Sequence, residues 1–392
     1  MAAQDAPILI VGGGIGGLAA ARALALTGRR VHVLEQGRAF GEIGAGIQLS
    51  PNVFRMFERL GIEDAIRADA VFVDDIRFMD SLTGEAVMKV PLKQPFEARF
   101  GKPYAVTHRG DLHTTLLNSC QELDDRIVLE TEAKVTGYTD QGDRVTVRLA
   151  DGTAREGRAL IGADGLWSKI RAQMLNDGPP RVSGHIAYRA VLPYDQVPEN
   201  VRWDSACLWA GPKTHLVHYP LRRKELFNMV AVFHSDRYVE GWDLTGDRDE
   251  LMQRFEGVDP RPASLLSRIT DWRYWVLCDR EPVRDWFQGN VVLLGDAAHP
   301  MLQYFAQGAC MATEDAVCLA DFLEQAGDDF PRAFEAYRDA RYLRTARVQL
   351  MARLLGEIYH AADVRADLRN HVLGMRTPEQ SYEGLAWLYD GP

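Results

Sequence analysis

The sequence predicts an α/β fold: a parallel sheet flanked by helices, an inserted β-rich region and a helical C-terminus. Three observations carry that prediction. A glycine-rich turn, Gly12-Gly13-Gly14-Ile15-Gly16-Gly17, lies between the strand-like run Ile8 to Val11 and the helix-like run Leu18 to Leu26. A second apolar run, Val31, Val33 and Leu34, ends on Glu35. Far along the chain, Val291 to Leu294 delivers Gly295 and Asp296 ahead of a helix-like run from about Gly308 to Leu323, the pattern of a buried parallel strand feeding a helix.

The first two together form a βαβ unit whose acid stands about 20 residues beyond the glycines, the arrangement that binds a dinucleotide. Gly12 permits the tight turn, Gly14 lets the backbone approach a pyrophosphate, and Gly17 lets the helix pack closely on the strand. The phosphates then sit at a helix N-terminus, where unpaired N–H groups and the dipole favour anions. Glu35 is placed to accept hydrogen bonds from a ribose.

Next along the chain, Pro51 to Leu60 reads as a helix, with Ser50 as its cap and proline at its first position. Ile76 to Met79 and Ala86 to Val90 flank Ser81-Leu82-Thr83-Gly84, a β-hairpin that enters a second domain. His108 to Leu123 returns to helix. Arg126 to Gly165 reads as a strand meander with turns at Asp140-Gln141-Gly142 and Asp151-Gly152. The meander ends in Ala159-Leu160-Ile161, and Gly162-Ala163-Asp164-Gly165 then places an acid at a strand terminus, where α/β sheets bind ligands. Asp164 there either fixes a ribose, orders water near the pyrophosphate, or caps the following helix, on which Ser168 and Arg171 share a face. Val182 to Trp275 is strand-rich and aromatic, with Trp203, Trp209, Tyr219 and Trp275 among its rings, and reads as a covering sheet. Pro331 to Leu355 is helical. The domains are therefore expected to be discontinuous: residues 1–75, 100–180 and 281–330 in the dinucleotide-binding domain, 76–99 and 181–280 in the inserted sheet domain, and 331–392 in a C-terminal helical region.

At 392 residues the chain exceeds what one core usually supports, and 46% hydrophobic with 26% charged residues is an ordinary globular balance. A net charge of −10 without any Lys/Arg-rich run argues against a nucleic-acid partner. Cys120, Cys207, Cys278, Cys310 and Cys318 are odd in number and form no CxxC pair, which points to reduced thiols and a cytoplasmic setting. No apolar run reaches the ~18 residues of a membrane helix, and the start MAAQDAP lacks the features of an export signal. A monomer or homodimer with no metal site is the expectation.

Taken together, GGGIGG, GADGLWSKIR from Gly162 to Arg171 and GDAAHPMLQYFAQGACMATEDA from Gly295 to Ala316 resemble the single-component, FAD-dependent aromatic hydroxylases. Intervening text agrees: GEIGAGIQLSPNVFRMFERLG, Gly41 to Gly61, is similar to the salicylate-hydroxylase branch, and HRGDLH, His108 to His113, resembles its arginine segment. The resemblance covers nearly the whole chain. It implies a Rossmann-like FAD-binding domain of the p-hydroxybenzoate hydroxylase type with an inserted β-sheet substrate domain and C-terminal helices. It also implies an FAD site made by Gly12, Gly14, Gly17, Glu35, Arg109, Asp164, Asp296 and Gly308, with Glu314 and Asp315 closing the third segment. Asp296 is expected on the ribityl chain and Arg109 between ribityl and phosphate. The helix from Gly308 would aim its positive end at the flavin N1 and C2 carbonyl, worth on the order of 0.3 to 2 kcal/mol toward reduced flavin.

The implied reaction is hydroxylation of a phenolic aromatic acid through a C4a-hydroperoxyflavin, with O2 and with NADH or NADPH as a transient co-substrate, because no second βαβ fingerprint exists to hold the nicotinamide. Within the third segment Gln303 stands where the family commonly has proline, Ala306 where it has glycine and Cys310 where it has asparagine. HPMLQYFAQGA resembles the 3-hydroxybenzoate 6-hydroxylase branch, which makes 3-hydroxybenzoate the expected substrate and gentisate the product. The competing expectations are a decarboxylative salicylate or 6-hydroxynicotinate hydroxylase and, from another class, a non-catalytic flavin-binding or electron-transfer protein. A flavin halogenase fits less well, since Asp271 to Leu277 (DWRYWVL) lacks the WxWxIP pattern.

Acid–base groups come from Gly211 to Arg222 (GPKTHLVHYPLR). Side chains alternate along a strand, so His215, Val217 and Tyr219 share one face and Leu216 and His218 the other. His215 and Tyr219 can therefore meet one substrate. A phenol titrates near ~10, and imidazole is the natural base at neutral pH. The resemblance assigns His215 and Gln303 to activation and orientation of substrate, with Tyr219 in support and Tyr104 lining the same cavity. His218 is expected to be structural, and His299, beside Pro300, structural or close to the cofactor.

Overall fold

Four consecutive apolar residues, Ile8–Val11, are buried at every position, as required of a strand in the interior of a parallel sheet. In the computed structural model, which describes residues 6–41, 44–237, 244–327 and 329–391, that strand pairs in parallel with Val31–Leu34 on one side and Ala159–Gly162 on the other. Ile127–Glu130 and Val291–Leu293 extend the parallel sheet outward, and Phe287–Gln288 closes one edge antiparallel. The three sequence motifs thus emerge from the C-terminal ends of three adjacent parallel strands, where an open α/β sheet binds its ligands. Glu42-Ile43 and the first five residues, part of the segments quoted above, lie outside the described residues.

The covering sheet has eight strands, in the order Leu244–Thr245, Arg273–Asp279, Arg181–Pro193, Leu226–His234, Thr214–Leu221, Ser205–Gly211, Asp75–Asp80, Ala86–Pro91. All neighbours are antiparallel except Ser205–Gly211 with Asp75–Asp80. The hairpin read at Ile76 to Val90 is therefore its edge. Two short helices, Arg248–Arg254 and Pro260–Leu266, interrupt the stretch read as strand, and they seal the far face by packing Leu251, Leu265 and Leu266 with Trp209, Phe227 and Phe233. The meander also divides. Its first and last strands join the parallel sheet, while Val135–Asp140, Val145–Leu149 and Ala154–Gly157 form a separate small sheet.

Helix Pro51–Leu60 starts at Ser50 as read, but the Ser50 hydroxyl donates to Asn52 Oδ1 and accepts from Gln307 Nε2 instead of capping the helix. The C-terminal region comprises Phe330–Tyr359, Asp363–Gly374 and Pro378–Tyr389. Its last helix packs Tyr382, Leu388 and Tyr389 against Phe96, Phe100 and Tyr104. Among the described residues no helix is long and apolar enough to cross a membrane, and the five cysteines are free.

Candidate active site

The strand-end loops and the near face of the covering sheet enclose a continuous cavity of about 1200 Å³. At its parallel-sheet end two glycines are there for want of space. Gly12 has φ of +109°, and a Cβ on it would lie 2.3 Å from the Ala163 carbonyl oxygen. A Cβ on Gly17 would lie 1.9 Å from the Gly12 carbonyl oxygen, so this glycine lets helix Ile15–Leu26 descend onto the turn. Gly14 occupies the N-cap position without offering a side chain, and its residue and the first turn line the cavity. Glu35 accepts from Gly13 N at 2.8 Å and Gly37 N at 2.7 Å. Each carboxylate oxygen has a further lone pair to offer a ribose.

Asp164 lines the cavity, but its oxygens are already engaged: Oδ1 accepts from the Ser168 hydroxyl at 2.5 Å and Oδ2 from Lys169 N at 2.7 Å. Helix capping is its visible work, and burial pushes its pKa up. Ser168 and Arg171 do not share the groove. Arg171, fully buried, ties Asp177 to the carbonyls of Ala297 and Ala298, which fixes the second motif against the third. Asp296 is the exposed residue in an otherwise buried stretch, Val291 to Pro300, and it looks into the groove. The enclosing walls raise its pKa, opposed by the charges of His299 and Arg109. Gly308 begins helix Gly308–Ala326 beside it, 3.8 Å from Asp296 Oδ1 to a Cβ built there. Arg109 opens helix Arg109–Gln121 and lines the same groove.

Glu314 and Asp315 correct the reading that placed them in the cofactor site. Both are fully buried and face away from the cavity. Glu314 accepts from Asn52, Arg341 and Arg344, and Asp315 from Gly295 N, His299 and Arg341. Buried carboxylates need such partners, and the two arginines come from helix Phe330–Tyr359, 26 or more residues away. The His299 ring, 2.5 Å from Asp315, belongs to this network, which braces the loop that carries Asp296.

At the covering-sheet end, His215, Val217 and Tyr219 all line the cavity, while Leu216 packs in the core behind it and His218 accepts from Trp209 Nε1 at 2.9 Å. His215 and Tyr219 are four residues apart, roughly 13 Å of strand. They frame the chamber from opposite ends and do not converge on one atom. His215 lies among Tyr304, Tyr359 and His360, with its Nδ1 2.7 Å from His360 Nε2. Burial, with the neighbouring His185 and His234, pushes it down to about 3. Tyr219 packs over Gly46, where a Cβ would meet its ring at 2.3 Å; burial pushes its phenol up, with Arg189 opposing. Tyr104 lines the chamber and donates to Gln48 Oε1. Gln303 starts the single turn Gln303–Phe305, its side chain half-buried at the wall, and Ala306 follows with φ of 51°, the left-handed region that favours glycine.

Several lining residues escaped the sequence reading. Tyr359 and Tyr389 arrive from the C-terminal helices, and Arg189 from the strand Arg181–Pro193, its guanidinium 4.2 Å from the Trp275 ring centroid. Arg189 and Trp275 fall on the cavity face of adjacent strands, a pairing that only the sheet register reveals.

The groove fits FAD: it has a glycine turn free of side chains, a helix N-terminus at each end, and carboxylates of Glu35 and Asp296 spaced along it. A dinucleotide groove that opens directly into an aromatic-walled chamber puts a flavin ring against an aromatic substrate, and the chain belongs to the FAD-dependent aromatic hydroxylases. The FAD binding domain family matches residues 5–349. The chain is 47% identical over 386 residues to the 3-hydroxybenzoate 6-hydroxylase of Polaromonas naphthalenivorans, covering 98% of this chain and 96% of the relative. It is 45% identical to 3-hydroxybenzoate 6-hydroxylase 1 of Aquipseudomonas alcaligenes, covering 97% of each. Among solved structures, Klebsiella pneumoniae HpxO in complex with FAD and uric acid superposes with a TM-score of 0.85 at 26% identity, over 99% of this chain and 98% of that one. The protein is a flavin-dependent aromatic monooxygenase with the p-hydroxybenzoate hydroxylase type of fold.

Proposed function

We propose that this enzyme hydroxylates 3-hydroxybenzoate para to its hydroxyl group, giving gentisate (2,5-dihydroxybenzoate), and consumes NADH and O2. The observation that carries the reading is one chamber, continuous with the dinucleotide groove, that Gln303, His215 and Tyr219 all line. The names of the relatives at 47% and 45% identity support the same substrate.

FAD, when bound, takes reducing equivalents from the nicotinamide and supplies activated oxygen to the ring. The chain's own residues do the rest. Gly12, Gly14 and Gly17 with Glu35 hold the adenosine half, and Asp296, Arg109 and the Gly308 helix terminus hold the ribityl and ring end. Asp164 supports the site by fixing the second motif loop. His215 is neutral at physiological pH, so its ring nitrogen is available as a base. So weak a base does not strip a resting phenol; it accepts the proton as attack makes the ring hydroxyl acidic. Gln303 offers an amide donor and acceptor beside the reacting ring. Tyr219, held protonated by burial, serves as a hydrogen-bond donor, Tyr104, whose proton goes to Gln48, lines the chamber as an acceptor, and Arg189 supplies positive charge for an anionic substrate within an acidic protein. The apolar wall from the C-terminal helices excludes water that would discharge the activated oxygen.

The test is NADH and oxygen consumption by the FAD-loaded protein with 3-hydroxybenzoate, salicylate and 6-hydroxynicotinate in parallel. Coupled turnover with 3-hydroxybenzoate is expected. Preference for either other acid identifies a decarboxylative hydroxylase, and no aromatic-dependent consumption leaves a flavin-binding protein without this activity. The free cysteines fit a cytoplasmic enzyme.

A further inference from the structure

Behind the chamber wall three histidines from three separate elements converge. His185 and His234 face each other across neighbouring strands, and His360 follows the helix Phe330–Tyr359. Their ring centroids lie 4.3, 4.8 and 4.9 Å apart, and one nitrogen from each can be chosen so that all lie within 4.8 Å of one another. A bulge in the strand between Val182 and Ile186, with Gly184 at φ of 78°, aims His185 inward; bulges re-aim side chains in this way. The geometry points to a binding site for a divalent ion of the zinc class, made by His185, His234 and His360, whose occupation inhibits hydroxylation through His215.

The hydrogen bonds sort the nitrogens. His185 Nδ1 is held by the Tyr304 hydroxyl at 2.6 Å, and His360 Nε2 by His215 Nδ1 at 2.7 Å. That leaves His185 Nε2, His360 Nδ1 and His234 Nε2 for an ion. Bonds from the remaining ring nitrogen to a neighbour are what orient metal-binding histidines. His234 Nε2 and His360 Nδ1 are 2.9 Å apart; tetrahedral zinc with nitrogens at about 2.0 to 2.1 Å needs them roughly 3.3 Å apart, a widening of about 0.4 Å. Three histidines with a fourth position left to water is a common zinc arrangement. Burial keeps all three imidazoles neutral at physiological pH, the state that binds metal. Lys213 and Arg181 face the cluster with positive charge and Glu357 with negative charge.

The inhibitory consequence rests on the role proposed for His215; the metal site itself does not. To act as a base His215 presents a bare Nε2 to the substrate. Its proton is then on Nδ1 and donates to His360 Nε2, and His360 donates from Nδ1 to His234 Nε2. An ion takes the lone pair at His360 Nδ1. The proton there moves to His360 Nε2, which now donates to His215 Nδ1, and the His215 proton moves to Nε2, facing the substrate. In the same way His185 carries its proton on Nδ1 and donates to the Tyr304 oxygen. Protons are redistributed and none is released, but His215 can no longer accept one.

The experiment adds ZnCl2 to the untagged, FAD-loaded protein, follows binding by calorimetry in two buffers of different ionisation enthalpy, and follows turnover in parallel. One ion should bind per chain, at pH 6 without net proton release because zinc-bound water ionises only near ~7, and kcat should fall with KM little changed and recover on adding EDTA. His234→Ala and His185→Gln, neither of which lines the chamber, should each weaken binding ~10-fold or more and leave turnover insensitive to zinc. Absence of zinc binding, or binding unchanged in both variants, overturns the site. Binding that both variants lose but that leaves wild-type turnover untouched overturns the coupling to His215. Calorimetry needs no turnover, so the site is decided even if the proposed substrate is wrong.

Discussion

Lowering the pH from about 7.5 to about 5 offers protons that the folded chain cannot accept at His215 and His218. Their exposures are 2% and 0%, and burial pushes both down to about 3. An unfolded histidine titrates near ~6.5. Between these values the unfolded chain binds more protons than the folded one, so stability is complete above pH ~6.5 and falls as the pH drops through that window. About 1.5 pH units into it, at ~1.4 kcal/mol per unit, each histidine costs roughly 2 kcal/mol, or about 4 kcal/mol for the pair. That is a large part of the ~5 to 15 kcal/mol that holds a typical fold together. Asp315 does not offset it: burial pushes that carboxyl up, but His299 and Arg341 hold it down to about 2, so its charge persists throughout the window. Urea titrations read by tryptophan fluorescence at three pH values across the window measure the effect. The midpoint should fall steeply toward acid, with a slope of two protons or more, since His185 and His360, also pushed down by burial, add to the two counted here. His218→Leu should remove about one proton from the slope while lowering stability at every pH, because Trp209 loses its acceptor. A midpoint that does not move with pH refutes the reasoning.

Other consequences are more local. His215→Ala should keep the flavin and lower aromatic-dependent hydroxylation by ~10²- to 10⁴-fold, with oxygen diverted to hydrogen peroxide; steady-state rates with a peroxide assay check it, and normal coupled turnover contradicts it. Gly17→Ala puts a methyl 1.9 Å from the Gly12 carbonyl, so the helix must lift from the turn and the flavin-to-protein ratio of the purified variant should fall well below that of the wild type. Arg341→Met removes the one cation that Glu314 and Asp315 share, leaving Arg344 to the first and His299 to the second, and should cost ~3 to 5 kcal/mol, seen as a lower thermal midpoint.

The parts of this fold that were legible in the sequence are those whose chemistry is local. Gly12, Gly17 and Glu35 sit within one βαβ unit, so spacing alone locates them. Strand alternation likewise put His215, Val217 and Tyr219 on one face, because a period of two survives whatever sheet the strand joins. Glu314 and Asp315 were misplaced for the opposite reason. A carboxylate near a glycine loop looks like a ligand for that loop until Arg341 and Arg344 are seen to claim it, and nothing local in either segment announces the pairing. Asp164 shows the limit of position as evidence: one carboxylate can both cap a helix and border a groove. Tyr359, His360 and Tyr389 were read only as part of a helical tail, since helical periodicity tells which face is apolar but not which distant wall it covers.

The most direct test of the whole account is the ring position and the origin of the new oxygen in the product formed from 3-hydroxybenzoate, NADH and isotopically labelled dioxygen, read by NMR and mass spectrometry. The account predicts gentisate carrying one labelled oxygen atom at the position para to the original hydroxyl. A different dihydroxybenzoate isomer, or gentisate whose new oxygen comes from water, contradicts it.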